Sequence, residues 1–445
     1  MNAKKLRSIL TVFTAKTIAF ALLLTWPCNI AGTVELEING LFTGINVDGA
    51  RYADVFDDPT VIRSRMVNLN WDVLHAEGRL QGAELTLNLF EDVVFDVVVD
   101  SYKPGGAGKF IITGHIQDVE HSQVVLVVEH SVMSGNIALP GFFYQIRYVD
   151  GDIHAIRSID HSAFPPEAEP ILVEPFGEYI QRLPAEAMAD DGSIIDVMVV
   201  YTEAAKTGAG GITAMNTLIN LAVTETNQSY ANSGIDQRLR LVYKAEISYD
   251  ETGFDWDETI DRLQGTSDGY MDNVHTLRDR YGADCVVLIV NDDVFCGKAY
   301  RMDTVSNSFE SWAFAIVASS CATGYYSFAH ELGHNMAARH DWYVDSGTGS
   351  PYTYNHGYVN VEDSWRTIMA YNDECEDASK NCTRLQYWSN PDVSYEGDPM
   401  GIAEGQPNAA DNRKTLNNTA FTVANFREAI RRINPGVLLL LLGGS

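Results

Sequence analysis

Twelve residues in the second half of the chain, His330 to Asp341, read HELGHNMAARHD. Positions i and i+4 of a helix share one face. His330 and His334 therefore aim two imidazoles at one point, with Glu331 beside them. Gly333 and the residues after His334 let the chain turn, so His340 swings back as a third nitrogen ligand. Three protein ligands leave a fourth position for water, the arrangement of a catalytic rather than a structural zinc. An all-nitrogen set suits Zn2+ without excluding another divalent ion. The chemistry implied is hydrolysis. Zinc lowers the pKa of bound water from about 16 toward about 7 and polarises a peptide carbonyl. Glu331, as general base, takes the proton and passes it to the leaving amine.

The two-histidine pattern alone arises by chance in unrelated chains. The third histidine narrows it, and so does TIMAY, Thr367 to Tyr371, about thirty residues downstream. Together these resemble the metzincin superfamily, a zinc helix followed by a Met-containing turn. The resemblance implies His330, His334 and His340 as ligands, Glu331 as base and Met369 as the floor of the site. Asp341, directly after the third histidine, resembles the reprolysin-like branch. Tyr371 resembles the tyrosine that other branches place beside the metal. It is either a stabiliser of the oxyanion or an ordinary core tyrosine.

IDVMVVYT, CATGYYSFAHELGHNM, TIMAY and YWSNPDV look like the bacterial-type reprolysin-like peptidases grouped with peptidyl-Asp metalloendopeptidases, over roughly 194–430. That kinship implies cleavage on the amino side of acidic residues and a cationic pocket to receive them. Arg366 and Arg384 are candidates to line it, although each reads first as a solvated surface arginine. One departure matters: the family's glycine after the second histidine falls at Ala337. A left-handed alanine costs ~1–2 kcal/mol, small against the ~10 kcal/mol or more of a zinc site. A strained but competent site is expected; a weakened or dead one is the alternative.

These residues need a scaffold. From 194 onward strands (194–202, 239–247, 285–290, 314–319) alternate with helical spacing (212–234, 268–281, 327–340, 419–433). Alternation of this kind predicts an α/β domain with a mostly parallel sheet, and the resemblance adds a twisted mixed sheet above a zinc cleft. Residues 32–165 alternate apolar and polar positions between turn residues, an all-β sandwich or barrel compatible with a propeptide domain. Residues 166–192, rich in Pro, acids and small residues, read as an exposed linker with a processing site. The catalytic domain then covers 193–434, and 435–445 is an apolar tail of unknown role. Residues 33–190 contain no cysteine, so a cysteine mask over the zinc is absent. Masking would be steric, or use a His or carboxylate such as Asp160–His161.

The chain has 445 residues and a net charge of −29, a field that repels nucleic acid and anionic membranes. Lys4, Lys5, Arg7 and Lys16 precede IAFALLLTW, which is too short to span a bilayer. Residues 1–31 therefore read as a secretory signal, with an uncleaved anchor as the other reading. A secreted location, extracellular or periplasmic, permits disulfides. With Cys285 in a buried apolar run, Cys296 with Cys321 and Cys375 with Cys382 are the plausible pairs. The expected partners are protein or peptide substrates, with no nucleic acid, no membrane beyond the signal, and a monomeric chain. A metal-binding pseudoenzyme and a secreted binding or adhesion protein remain the competing functions; Glu331 argues against a purely structural metal.

Overall fold

A computed structural model describes residues 40–47, 58–74, 81–173 and 191–430. The signal segment, residues 174–190 and the apolar tail lie outside it. Strands β1 (Phe42–Gly44), β2 (Val61–Leu69), β3 (Glu84–Phe90), β4 (Val93–Gly106), β5 (Lys109–Ile116), β6 (Gln123–Glu129), β7 (Val132–Leu139), β8 (Phe142–Asp150) and β9 (Ile153–Ile159) form one antiparallel sheet. Its order is β1-β2-β9-β8-β7-β6-β5-β4-β3. The edges meet: Leu41 N–H donates to Thr86 O at 3.0 Å, and the Asn88 side chain brackets Phe42. The sheet thus closes around Leu87, Val97, Ile112, Leu126, Ile146 and Ile156, the barrel option of the sequence reading. Closure removes the unpaired edges that invite aggregation.

Strand β5 alternates buried and half-buried positions, whereas β6 is buried almost throughout. The difference has a cause. Val124, Leu126 and Val128 fill the barrel. Val125 and Val127 point outward onto Leu221 of helix α1 (Ile212–Asn232). Polar contacts frame this docking. Ser134 bonds Thr217 at 2.7 Å, and the Glu225 carboxylate accepts from Asn136 Nδ2 at 2.5 Å and Gly324 N at 3.0 Å. Burial pushes the Glu225 carboxyl up to about 7, opposed by those two hydrogen bonds.

The second sheet uses β10 (Ile171–Leu172), β11 (Ile194–Tyr201), β12 (Arg238–Glu246), β13 (Cys285–Val290), β14 (Gly297–Arg301) and β15 (Phe314–Ala318). Its order is β10-β14-β15-β13-β11-β12. Only β14 runs antiparallel to its neighbour β15, so the sheet is mixed. Helices α2 (Trp256–Gln264) and α3 (Asn273–Tyr281) follow β12, and α4 (Ser327–Asn335) follows β15. The closing helix α5 (Asn412–Val423) is capped by Asp411, which accepts from Lys414 N at 2.8 Å. It therefore begins before the expected 419 and ends before 433. The expected helix over 268–281 is shortened too, because Asp272 accepts from the amides of Asp268 and Gly269 and holds a turn there. Among the described residues no helix is long and apolar enough to cross a membrane.

Candidate metal centre

Helix α4 carries HELGH, and all nine of its residues are buried. Asn335 ties its end to the sheet, donating to Tyr300 O at 2.8 Å and Phe314 O at 3.3 Å. The helix stops at Asn335 rather than running to His340. Ala337 N–H bonds His334 O at 3.0 Å and Ala338 N–H bonds Gly333 O at 2.9 Å, the Schellman closure. This closure needs a left-handed residue, and Ala337 sits at φ 73°. The chain then reverses and delivers His340. Ala337→Gly relieves ~1–2 kcal/mol of steric strain and returns ~0.5–1 kcal/mol through the freer unfolded chain. Relief outweighs the loss, so the variant should gain stability, by up to about 1.5 kcal/mol, and its denaturation midpoint should rise. A lower midpoint would show that Ala337 carries no strain.

The three histidines converge. His340 Nε2 lies 3.2 Å from His330 Nε2 and 3.0 Å from His334 Nε2. Tetrahedral zinc with bonds of about 2.0–2.1 Å would place its nitrogens about 3.3 Å apart. The outer nitrogens are committed elsewhere: His330 Nδ1 donates to Ile368 O and His334 Nδ1 to Ala338 O, both at 2.9 Å. A carbonyl only accepts, so these bonds place the protons on Nδ1 and leave the Nε2 lone pairs facing one another. Burial holds His334 down at about 3 and holds His330 and His340 well below the usual imidazole range. Neutral imidazoles with converging lone pairs fit a divalent cation. Among the described residues these three are the group able to share one.

Glu331 is fully buried, and neither carboxylate oxygen has a hydrogen-bond donor. Burial first, then the Glu167 carboxylate alongside, push its carboxyl well above the usual range. The backbone of β14 runs close against it. A Cβ added at Gly297 would lie 2.4 Å from Glu331 Oε1 and 2.6 Å from its Cγ.

Below the helix, a Cβ at Gly333 would meet Met369 Sδ at 2.7 Å and the Trp388 ring at 2.8 Å. Gly333 therefore lets Met369 and Trp388 approach the helix; the turn itself lies further on, at Ala337. Asp341 ties the helix exit to the Met-turn, accepting from Tyr343 N at 3.0 Å and Tyr371 N at 2.8 Å. The Tyr371 ring packs 4.1 Å from that of His340, and its hydroxyl donates to Glu167 O at 3.3 Å. His356 holds the His340 carbonyl through Nδ1 at 2.8 Å and stacks on Trp342 at 3.8 Å.

Two expectations change. Arg366 and Arg384 are not solvated; each is 2 % exposed. Arg366 gives its donors to Cys382 O at 3.0 Å, Ala370 O, and Tyr325 Oη at 3.0 Å. Arg384 reaches Glu167 and Tyr325 O. His161, one of the pair considered as a mask, packs between Phe143 and Tyr325 instead, with ring centroids 4.9 and 6.0 Å away. The segment that does lie over the centre is 166–172, read from sequence as linker. Pro166 O accepts from Cys296 N at 2.8 Å and Ala168 N donates to Gly297 O at 2.9 Å. Ile171–Leu172 then pair in parallel with Tyr300–Arg301. Disulfides Cys296–Cys321 and Cys375–Cys382 brace the start of β14 and the loop after the Met-turn, and Cys285 is a buried free thiol.

Histidines converging on one point from a helix and its return loop, over a methionine floor and beneath a mixed sheet, define a metallopeptidase centre of metzincin type. Residues 191–389 match the model of Reprolysin_5, metallo-peptidase family M12. The chain is 40% identical over 326 residues to the peptidyl-Asp metalloendopeptidase of Stenotrophomonas maltophilia (strain K279a), covering 70% of this chain and 72% of that one. It is 41% identical over 310 residues to that of Xanthomonas campestris pv. campestris, covering 69% and 70%. It is 37% identical to that of Pseudomonas fragi, over 46% of this chain and all of that one. Among solved structures, metalloproteinase-II from Bacteroides fragilis aligns at 14% identity and a TM-score of 0.37, over 62% of this chain and 87% of that one, a likeness too slight to inform the site. The chain belongs to the peptidyl-Asp metalloendopeptidase family of M12 metallopeptidases and is a metalloendopeptidase.

Proposed function

We propose that this chain is a secreted, zinc-dependent endopeptidase that cuts on the amino side of aspartate, with His330, His334 and His340 as ligands and Glu331 as general base. The observation that carries the reading is the meeting of three imidazole Nε2 atoms beside a buried carboxylate with no hydrogen-bond donor. Bound there, zinc would polarise the scissile carbonyl and acidify a water. The protein's own groups do the rest. Glu331 accepts the proton of the attacking water and returns it to the leaving amine. The Tyr371 hydroxyl, already donating to a backbone carbonyl at 3.3 Å, steadies the developing oxyanion. Asp341 and Met369 hold Tyr371 and the histidines in place. The aspartate preference comes from the relatives' names. Secretion is supported by the leader-like N-terminus and two disulfides.

The test is digestion of an unstructured protein by the purified chain, nicked between 173 and 191, with cut sites read by mass spectrometry. Cuts before Asp are expected, abolished by a chelator and restored by zinc. Chelator-resistant cutting would sink the metal reading, and cuts unrelated to Asp would sink the preference.

A further inference from the structure

We propose that Arg384 is the residue that selects an acidic side chain, and that Glu167 fills its subsite in the intact chain as a built-in substitute for such a substrate. This rests on the peptidase reading above. Glu167 Oε1 accepts from Arg384 Nη1 at 2.6 Å and from Ser327 Oγ at 2.7 Å. The guanidinium also lies 4.1 Å over the Tyr325 ring and donates to Tyr325 O at 3.0 Å. The side chains of Arg384 and Glu167 are 1 % and 0 % exposed.

Burying a charge is costly unless a counter-charge meets it. Among the described residues the one carboxylate hydrogen-bonded to Arg384 is Glu167, in the segment 166–172, and the Arg384 Nε has no partner. Arg366, the other candidate, spends its donors on the Met-turn region and Tyr325. With 166–172 displaced, Arg384 becomes a buried cation facing the cleft beside Glu331, a receptor for a carboxylate. The same displacement frees the backbone of Gly297–Arg301, an edge on which an extended peptide can add as a strand. Glu167 and its neighbours already make such contacts: Pro166 and Ala168 bond that strand, the Glu167 carboxylate sits on Arg384, and its carbonyl accepts from Tyr371. The residue in the subsite thus lies beside the reacting centre.

The test uses the full-length chain. Glu167→Gln leaves the pocket intact while removing the charge. Hydrogen exchange in 166–172 should speed up at least about tenfold, with the strands over 109–139 unchanged. In the nicked protein, the kcat/KM ratio for matched peptides carrying Asp or Asn should fall at least about tenfold in Arg384→Gln, and part of it should return in Arg384→Lys. If Arg384→Gln fails to fold, Glu167→Gln and Arg384→Lys decide. Unchanged exchange in Glu167→Gln, or an unchanged Asp/Asn ratio in the Arg384 variants, overturns the proposal even where the wild type cuts before Asp. Faster exchange in Glu167→Gln from a chain that cuts nothing would instead uphold the Glu167–Arg384 contact and overturn the peptidase reading.

Discussion

Replacing Glu331 by glutamine should lower kcat by about 10²–10⁴-fold, the range general acid–base catalysis supplies, while metal content stays at the wild-type level. The reasoning rests on geometry. Glutamine has nearly the shape of glutamate, so the packing against Gly297 is retained. The three Nε2 atoms that would hold the ion do not involve Glu331. What disappears is the ability to take a proton. The measurement is turnover of a peptide by the nicked variant, alongside metal analysis of the same sample. A variant that keeps a tenth or more of the wild-type turnover would remove Glu331 from the mechanism. A variant that loses its metal would make the result one of folding or ligation rather than proton transfer.

A second large effect is expected from a single methyl group on β14. In Gly297→Ala the new Cβ falls 2.4–2.8 Å from the carboxylate end of Glu331, closer than carbon and oxygen approach without displacement. The backbone of β14 is fixed by its pairing with β15 and by the Cys296–Cys321 disulfide next to it. The carboxylate is the softer partner and moves. Moving it is cheap in stability, within the ~1–3 kcal/mol of ordinary overpacking. Displacing a catalytic group by about 1 Å can cost about 100-fold in rate. Peptide turnover should therefore fall far more than the denaturation midpoint. Equal losses in both would mean that Gly297 serves packing alone.

The sequence made some of this plain and hid the rest for identifiable reasons. The spacing of His330, His334 and His340 is local, and helix periodicity reads it directly. The left-handed turn at Ala337 is placed by the resemblance, whose glycine falls at that position, while the spacing alone asks only for a turn somewhere after His334. Strand β14, GKAYR, gives no such signal: it is five residues long, carries Lys298 and Arg301, and has no alternation to mark it. Glu167 escaped for a different reason. It lies in a stretch of prolines and acids that looks exposed, and its burial is decided by Arg384, 217 residues away. Arg384 was misread for the same cause, since an arginine is buried only where a distant partner allows it. The nearest local hint was a small one: Arg384 follows Cys382 closely, in a loop held rigid by a disulfide.

The docking of the barrel on helix α1 bears on how such an occupant is released. While residue 173 remains joined to residue 191 through the chain, Glu167 meets Arg384 at an effective concentration set within one molecule. Dilution of the protein does not change that number. A single cut between them turns the same contact into a bimolecular equilibrium, yet leaves the Val125–Leu221 patch and the Glu225 hydrogen bonds in place. On the proposal that Glu167 fills the Arg384 subsite, the barrel would then act as a separate inhibitor whose occupancy follows total protein concentration, so release would be governed by where the protein is diluted as well as by when it is cut.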